Sequence, residues 1–300
     1  MHTCVKTNKL TKRYQKETAV SGVDLTVPSG AVYGFLGPNG AGKTTTLKML
    51  LGLVHPTDGE IFLFNTRMTE QNRLETLRQT GSLIESPSYY GHLTARENLE
   101  IVRTLRRLPA SSIDEALGTV HLLHTGNKPV SQFSFGMKQR LGIAAALMGK
   151  PKLLLLDEPT NGLDPAGIQE MRALIQSLPA QYGMTVVVSS HLLGEIDQIA
   201  DHVGVIRKGE LVFQGTLAAL HEKNAHKLAL RTSDNALSAA LLPGAQVDGA
   251  YLLLPAVADA FAAKISRLLA ENGVGVIRME ERQASLEDIF LAMTETEGLA

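Results

Sequence analysis

Three short stretches of the chain, AVYGFL at 31–36, KLLLLD at 152–157 and MTVVVSS at 184–190, are almost continuously apolar and bounded by turn residues. Strands covered on both faces read this way, so with helical patterns between them they predict an α/β core around a buried parallel sheet. A further strand is expected at 82–84. Between it and residue 152, apolar residues recur at i, i+3 and i+4 through TARENLEIVRTLRRL, SIDEALGTVHLLH and FGMKQRLGIAAALMG. That spacing predicts a helical insertion over about 86–150. Beyond GELVFQGTLAALHEKN the pattern changes. HKLALRT, a helix over DNALSAALL, the strands AQVD and AYLLLP, a helix through 257–271 and GVGVIRM follow in β-α-β-β-α-β order, with a last helix at SLEDIFLAMT. This predicts a small ferredoxin-like α+β appendage at 225–300, after a core domain at 1–224.

Charge and composition narrow the function. The formal net charge is −1, which gives no general pull toward nucleic acid or anionic lipid; no nucleic-acid partner is expected. The single cysteine, Cys4, has no partner for an internal disulfide, and the start MHTCVKTNKL lacks the apolar segment of a signal peptide. No stretch approaches the roughly 18–20 apolar residues that span a bilayer. The expected location is the reducing cytoplasm, with any membrane role supplied through a partner.

The strongest chemical signal is GPNGAGKT, residues 37–44. Glycines at 37, 40 and 42 let the backbone wrap a phosphate, with its N–H groups and the following helix N-terminus pointing at the negative charge. The run follows one predicted strand and opens the helix TTTLKMLLGLV, as a P-loop requires. Gly37, Pro38, Asn39, Gly40, Ala41, Gly42, Lys43, Thr44 and Thr45 form the candidate nucleotide-binding set, with Lys43 reaching the β- and γ-phosphates and the Thr44 hydroxyl on Mg²⁺. LLLLDEP at 153–159 adds Asp157 at the end of a buried strand, where a carboxylate can hold Mg²⁺. Beside it, Glu158 can take the proton of an attacking water. Glu85, in SLIESPSYYGHLT, places another carboxylate at a strand end, where it would face the same crevice and join the metal shell.

With these residues in place the sequence resembles the ATP-binding subunits of ABC transporters over residues 1 to about 220. FSFGMKQR at 133–140 resembles that family's signature turn, NGLDP at 161–165 its D-loop, and His191 its switch histidine. Ser134 can also cap the helix that follows, and Gly136 leaves first-turn amides open to an anion. The resemblance implies ATP and Mg²⁺ as ligands and stacking of Tyr14 on adenine. It implies catalytic roles for Glu158, His191, Lys43 and Glu85, and a head-to-tail dimer in which Ser134 and Gly136 of a second copy or a homologous subunit close over the γ-phosphate, with Asp164 near the seam. It also implies an integral-membrane permease docked near the Glu85 loop, placing the chain at the inner face of the membrane. Three positions depart from the family pattern: Phe135 and Met137 replace a glycine and a glutamine, and Glu85 stands where glutamine is usual. An ordinary helical φ at 135 keeps its N–H available despite the ring. GSLIESPSYYGHLTARENL together with FGMKQRLGIA resembles the branch of lantibiotic self-protection and bacitracin-resistance ATPases, which implies export of an antimicrobial peptide. Two other classes stay open at this stage: a mechanical cassette acting on ribosomes or DNA, and an ATP-binding regulatory subunit with negligible turnover.

Overall fold

The computed structural model describes residues 2–15, 17–222, 227–255 and 257–282. The chain separates into two compact units between Leu217 and Ala218. In order, the first carries β1 (Thr3–Tyr14), β2 (Glu17–Val23), β3 (Thr26–Pro28), β4 (Val32–Leu36), α1 (Lys43–Leu50), β5 (Asp58–Leu63), β6 (Thr66–Arg67), α2 (Arg73–Arg78) and β7 (Thr80–Leu83). It continues with α3 (Ala95–Arg106), α4 (Ser111–Thr119), α5 (Phe135–Leu147), β8 (Leu153–Asp157), α6 (Pro165–Tyr182), β9 (Thr185–Ser190), α7 (Leu193–Asp197), β10 (His202–Arg207) and β11 (Glu210–Thr216); α8 (Leu217–Glu222) starts at the boundary.

The three apolar runs are the centre of a six-stranded sheet ordered β11-β10-β4-β9-β8-β7. Strands β4, β7, β8, β9 and β10 run parallel and β11 closes one edge antiparallel. Every residue of β4, β8 and β9 is buried, which is why these strands lack polar alternation. Tyr33, Phe35, Leu153, Leu155 and Val187 share one core with Leu47, Met49 and Leu50 of α1. Because the strands are parallel, Leu36, Leu83, Asp157 and Ser190 end at the same edge, and the loops that follow them converge there. A second sheet joins β2-β1-β5-β6, with β3 also on β1. Cys4 lies in its core, and burial pushes its thiol up.

The insertion forms as α3, α4 and α5. A capping box between Thr94 and Glu97 starts α3, and the Ser134 hydroxyl accepts from the Met137 amide to start α5. α4 stops at Thr119, short of the helix expected through 124. His121 adopts φ +56 and the chain continues as a 3₁₀ turn at Leu123–Thr125, which ends the α-helical ladder.

The second unit carries β12 (Lys227–Thr232), α9 (Asn235–Leu241), β13 (Gln246–Asp248), β14 (Tyr251–Pro255), α10 (Asp259–Glu271) and β15 (Val276–Arg282). Its strands are ordered β13-β14-β12-β15 and pair antiparallel throughout, a ferredoxin-like topology. Leu228, Leu230, Leu252 and Leu254 pack with Ile265 and Leu269 of α10. The helix expected at SLEDIFLAMT lies outside the described residues.

Candidate functional site

The loop between β4 and α1 is shaped by its glycines. A Cβ on Gly37 would lie 2.4 Å from the Ile206 carbonyl oxygen, and one on Gly42, at φ +107, would lie 2.4 Å from that of Ala19. Gly40 adopts φ +80 with open space around it, so its demand is conformational alone. Pro38, Asn39 and Gly40 are exposed, Ala41 is buried, and Thr44 and Thr45 are half-buried at the start of α1. The N-cap of this helix, Gly42, has no side chain to make a capping bond, leaving the first amides directed at the crevice. Lys43 is only 5% exposed. Its ammonium donates to the carbonyls of Gly37 at 2.6 Å and Pro38 at 3.2 Å and pairs with Glu158 Oε1 at 3.2 Å.

Asp157 and Glu158 end β8 against β9. Thr44 Oγ1 donates to Asp157 Oδ2 at 2.8 Å, and the buried Ser189 hydroxyl donates to Oδ1 at 2.5 Å. The same Ser189 oxygen accepts from the Glu158 amide at 3.0 Å. Glu158 takes φ +49, a turn that sends its side chain back over the loop: Oε1 meets Lys43 and Oε2 lies 2.5 Å from His191 Nδ1. Six residues from the start of α1 and the ends of β8 and β9 thus form one polar cluster. Ser189 was not singled out in the sequence. Its only signal there was a hydroxyl at the end of an otherwise apolar strand, next to a strand that ends in Asp-Glu.

The Thr44 hydroxyl and Asp157 carboxylate are hard oxygen donors within hydrogen-bonding distance of each other, a set that suits Mg²⁺. Among the described residues no group of three His, Cys, Asp or Glu could hold a metal ion. Mg²⁺ commonly takes only one or two protein ligands and completes its shell with water and phosphate oxygens, so this donor pair fits it.

Glu85 pairs with a different cation. Its carboxylate is paired with Lys48 at 2.6 Å, is 64% exposed, and follows a backbone at φ +63. In this structure an ammonium one turn along α1 from Thr44 engages that carboxylate, and a magnesium titration decides whether it also joins Thr44 and Asp157 around a metal. An exposed pair of this kind contributes at most about 1 kcal/mol. Glu85→Gln is expected to leave the magnesium concentration for half-maximal ATP turnover within about twofold of wild type, as a pair of that strength allows. In a magnesium titration at fixed ionic strength, a clearly larger requirement would return Glu85 to the metal shell.

Tyr14 ends β1, half-exposed, with the Lys12 ammonium 5.0 Å from its ring centroid. Asp164 caps α6 by accepting from the Gly167 amide at 2.8 Å. Ser134 and Gly136 sit on the insertion rather than among the groups around Lys43. Phe135 is the first residue of α5 with ordinary helical geometry, as its expected φ required.

Comparison with known proteins fits this arrangement. A family model described as "ABC transporter" matches residues 20–161. The bacitracin transport ATP-binding protein BcrA of Bacillus licheniformis is 43% identical over 98% of this chain and 98% of its own length. The lantibiotic transport ATP-binding protein SrtF of Streptococcus pyogenes is 47% identical over 70% of this chain and 90% of its own. Among solved structures, an ATP-binding cassette dimer in a post-hydrolysis state with ADP and phosphate superposes with TM-score 0.64 at 27% identity, covering 71% of this chain and 98% of that one.

Proposed function

The chain belongs to the ATP-binding subunits of ABC transporters, and from that premise we propose that two copies, or one copy and a homologous subunit, hydrolyse ATP between them to drive export of a peptide antibiotic of the bacitracin or lantibiotic kind. The observation that carries the catalytic part is the position of Glu158, held between the buried ammonium of Lys43 and the imidazole of His191. The peptide substrate is carried by the likeness to the bacitracin and lantibiotic proteins over most or all of the chain.

The triphosphate lies along the loop 37–45, with adenine on Tyr14. Lys43 exchanges its carbonyl partners for phosphate oxygens, a gain because those oxygens carry full charge. Thr44 and Asp157 would hold Mg²⁺, which would neutralise charge on the phosphate oxygens. Relieved of Lys43, Glu158 accepts a proton from water as the water oxygen bonds to the γ-phosphorus. The bond from that phosphorus to the bridging oxygen breaks, leaving ADP and phosphate. His191 keeps the Glu158 carboxylate aimed through its Oε2 contact. Ser134 and Gly136 of the second subunit bring the N-terminus of α5 over the γ-phosphate, so ATP favours the closed dimer and its hydrolysis releases it. The loop after Glu85 receives a permease, which holds the chain at the inner membrane face.

The test is tolerance in the host. Replacing the native gene with a Glu158→Gln copy should lower the tolerated concentration of the cognate peptide antibiotic to that of a deletion strain. Unchanged tolerance to bacitracin and to lantibiotics, with the purified chain still hydrolysing ATP, would overturn the peptide substrate while leaving the ATPase in place.

A further inference from the structure

Phe135 stands on the signature turn where the family resemblance calls for glycine, and it is 53% exposed, a costly place for a ring that does nothing. One edge of that ring is engaged. A Cβ built on Gly162 would lie 3.1 Å from Phe135 Cε1, and Gly162 itself sits at φ +79. A second contact lies beside it, because a Cβ on Gly136 would be 3.4 Å from Leu163 Cδ2. Further along the same two helices, Arg140 of α5 is ion-paired with Glu170 of α6. The first turn of α5 and the loop 161–164 thus meet at a ring and a leucine, and a charge pair holds α5 to α6 beyond them.

That loop is tied in turn to the hydrolytic carboxylate. The Asn161 amide donates to the Glu158 carbonyl at 3.1 Å, the Leu163 amide donates to the Thr160 carbonyl at 3.1 Å, and Asp164 pins the far end to α6. A glycine with positive φ is the softest point in this turn. The ring rests on it.

We propose that Phe135 is a positioning residue for hydrolysis: seated on Gly162, its ring makes the signature turn and the loop 158–164 move as one piece. Resting on the composite-site reading above, this adds that phosphate held at the N-terminus of α5 in one site alters the placing of Glu158 in the same subunit's other site. The two ATP sites of a dimer are thereby coupled through packed atoms. A glycine at 135 would leave that step to a flexible turn.

The expected result for Phe135→Ala is a kcat lowered about tenfold, within the range by which residues between two sites alter their coupling, with KM for ATP little changed. The Hill coefficient for ATP should fall from above 1 in wild type to 1. Phe135→Leu, which keeps an apolar body over Gly162, should recover most of both. A purely structural role for the ring would not produce a loss of cooperativity that leucine rescues. The chain has no tryptophan, so Phe135→Trp gives a single reporter whose emission should shift with ATP and not with ADP in a Glu158→Gln background. Wild-type kcat and cooperativity in folded Phe135→Ala would overturn the proposal alone. Failure of the Glu158→Gln protein to dimerise with ATP, measured alongside, would overturn the composite site and this proposal with it.

Discussion

Glu158→Gln is expected to lower steady ATP turnover by about 100-fold or more, the contribution of a positioned general base, while ATP binding is kept. The amide has the shape of the carboxylate, so the turn at φ +49 and the contact to the Ser189 hydroxyl, both made by the backbone of residue 158, survive. What is lost is the charge that pairs with Lys43 and the oxygen basicity that takes a proton from water. Lys43 still has the carbonyls of Gly37 and Pro38, so the loop does not collapse. ATP that binds and is not hydrolysed accumulates in the closed state, and size-exclusion chromatography should show an ATP-dependent dimer. Retention of more than about a tenth of wild-type turnover would remove Glu158 from the base role, given what such a base contributes.

Lys43→Ala is expected to weaken nucleotide binding by about 100-fold, since charge-assisted hydrogen bonds contribute about 1.5–3 kcal/mol each. The ammonium is the cation that the structure places inside the phosphate loop, desolvated, with three oxygen partners at 2.6–3.2 Å. Phosphate oxygens, carrying full charge, would compete with those partners for the ammonium. Isothermal titration with ADP measures the loss without turnover. The unliganded fold should persist, because the glycines hold the loop by close approach to Ile206 and Ala19 rather than through Lys43. An affinity within about threefold of wild type, less than one such bond is worth, would mean that the triphosphate binds elsewhere.

The buried parallel strands were legible in the sequence because burial on both faces erases alternation, and 153–157 contains nothing but leucine before its aspartate. The phosphate loop was legible because glycines, lysine and threonine are local in sequence. The N-terminal antiparallel sheet was much less so. β1 alone pairs with β2, β3 and β5, with register shifts in each pairing, and such bulges break the period of two on which recognition depends. α4 overran its end in the sequence reading because Leu122 and Leu123 continue an apolar spacing that the left-handed His121 does not obey. Ser189, the Lys48–Glu85 pair and the ring of Phe135 on Gly162 join residues distant in sequence, and no local pattern announces such contacts. Glu85 shows the same limit: a strand end faces the crevice on average, yet the cation that engages its side chain here, Lys48, is 37 residues away in sequence.

The central claim is that one subunit's signature turn closes over another's phosphate loop. Two proteins decide it, each with Cys4→Ala and Glu158→Gln, one carrying Asn39→Cys on the exposed rim of the loop and the other Ser134→Cys on the signature turn. Mixed under oxidising conditions, they should form a disulfide-linked heterodimer with ATP and none with ADP. Cross-linking of Asn39→Cys to itself, or the same yield of heterodimer without nucleotide, would contradict the head-to-tail arrangement.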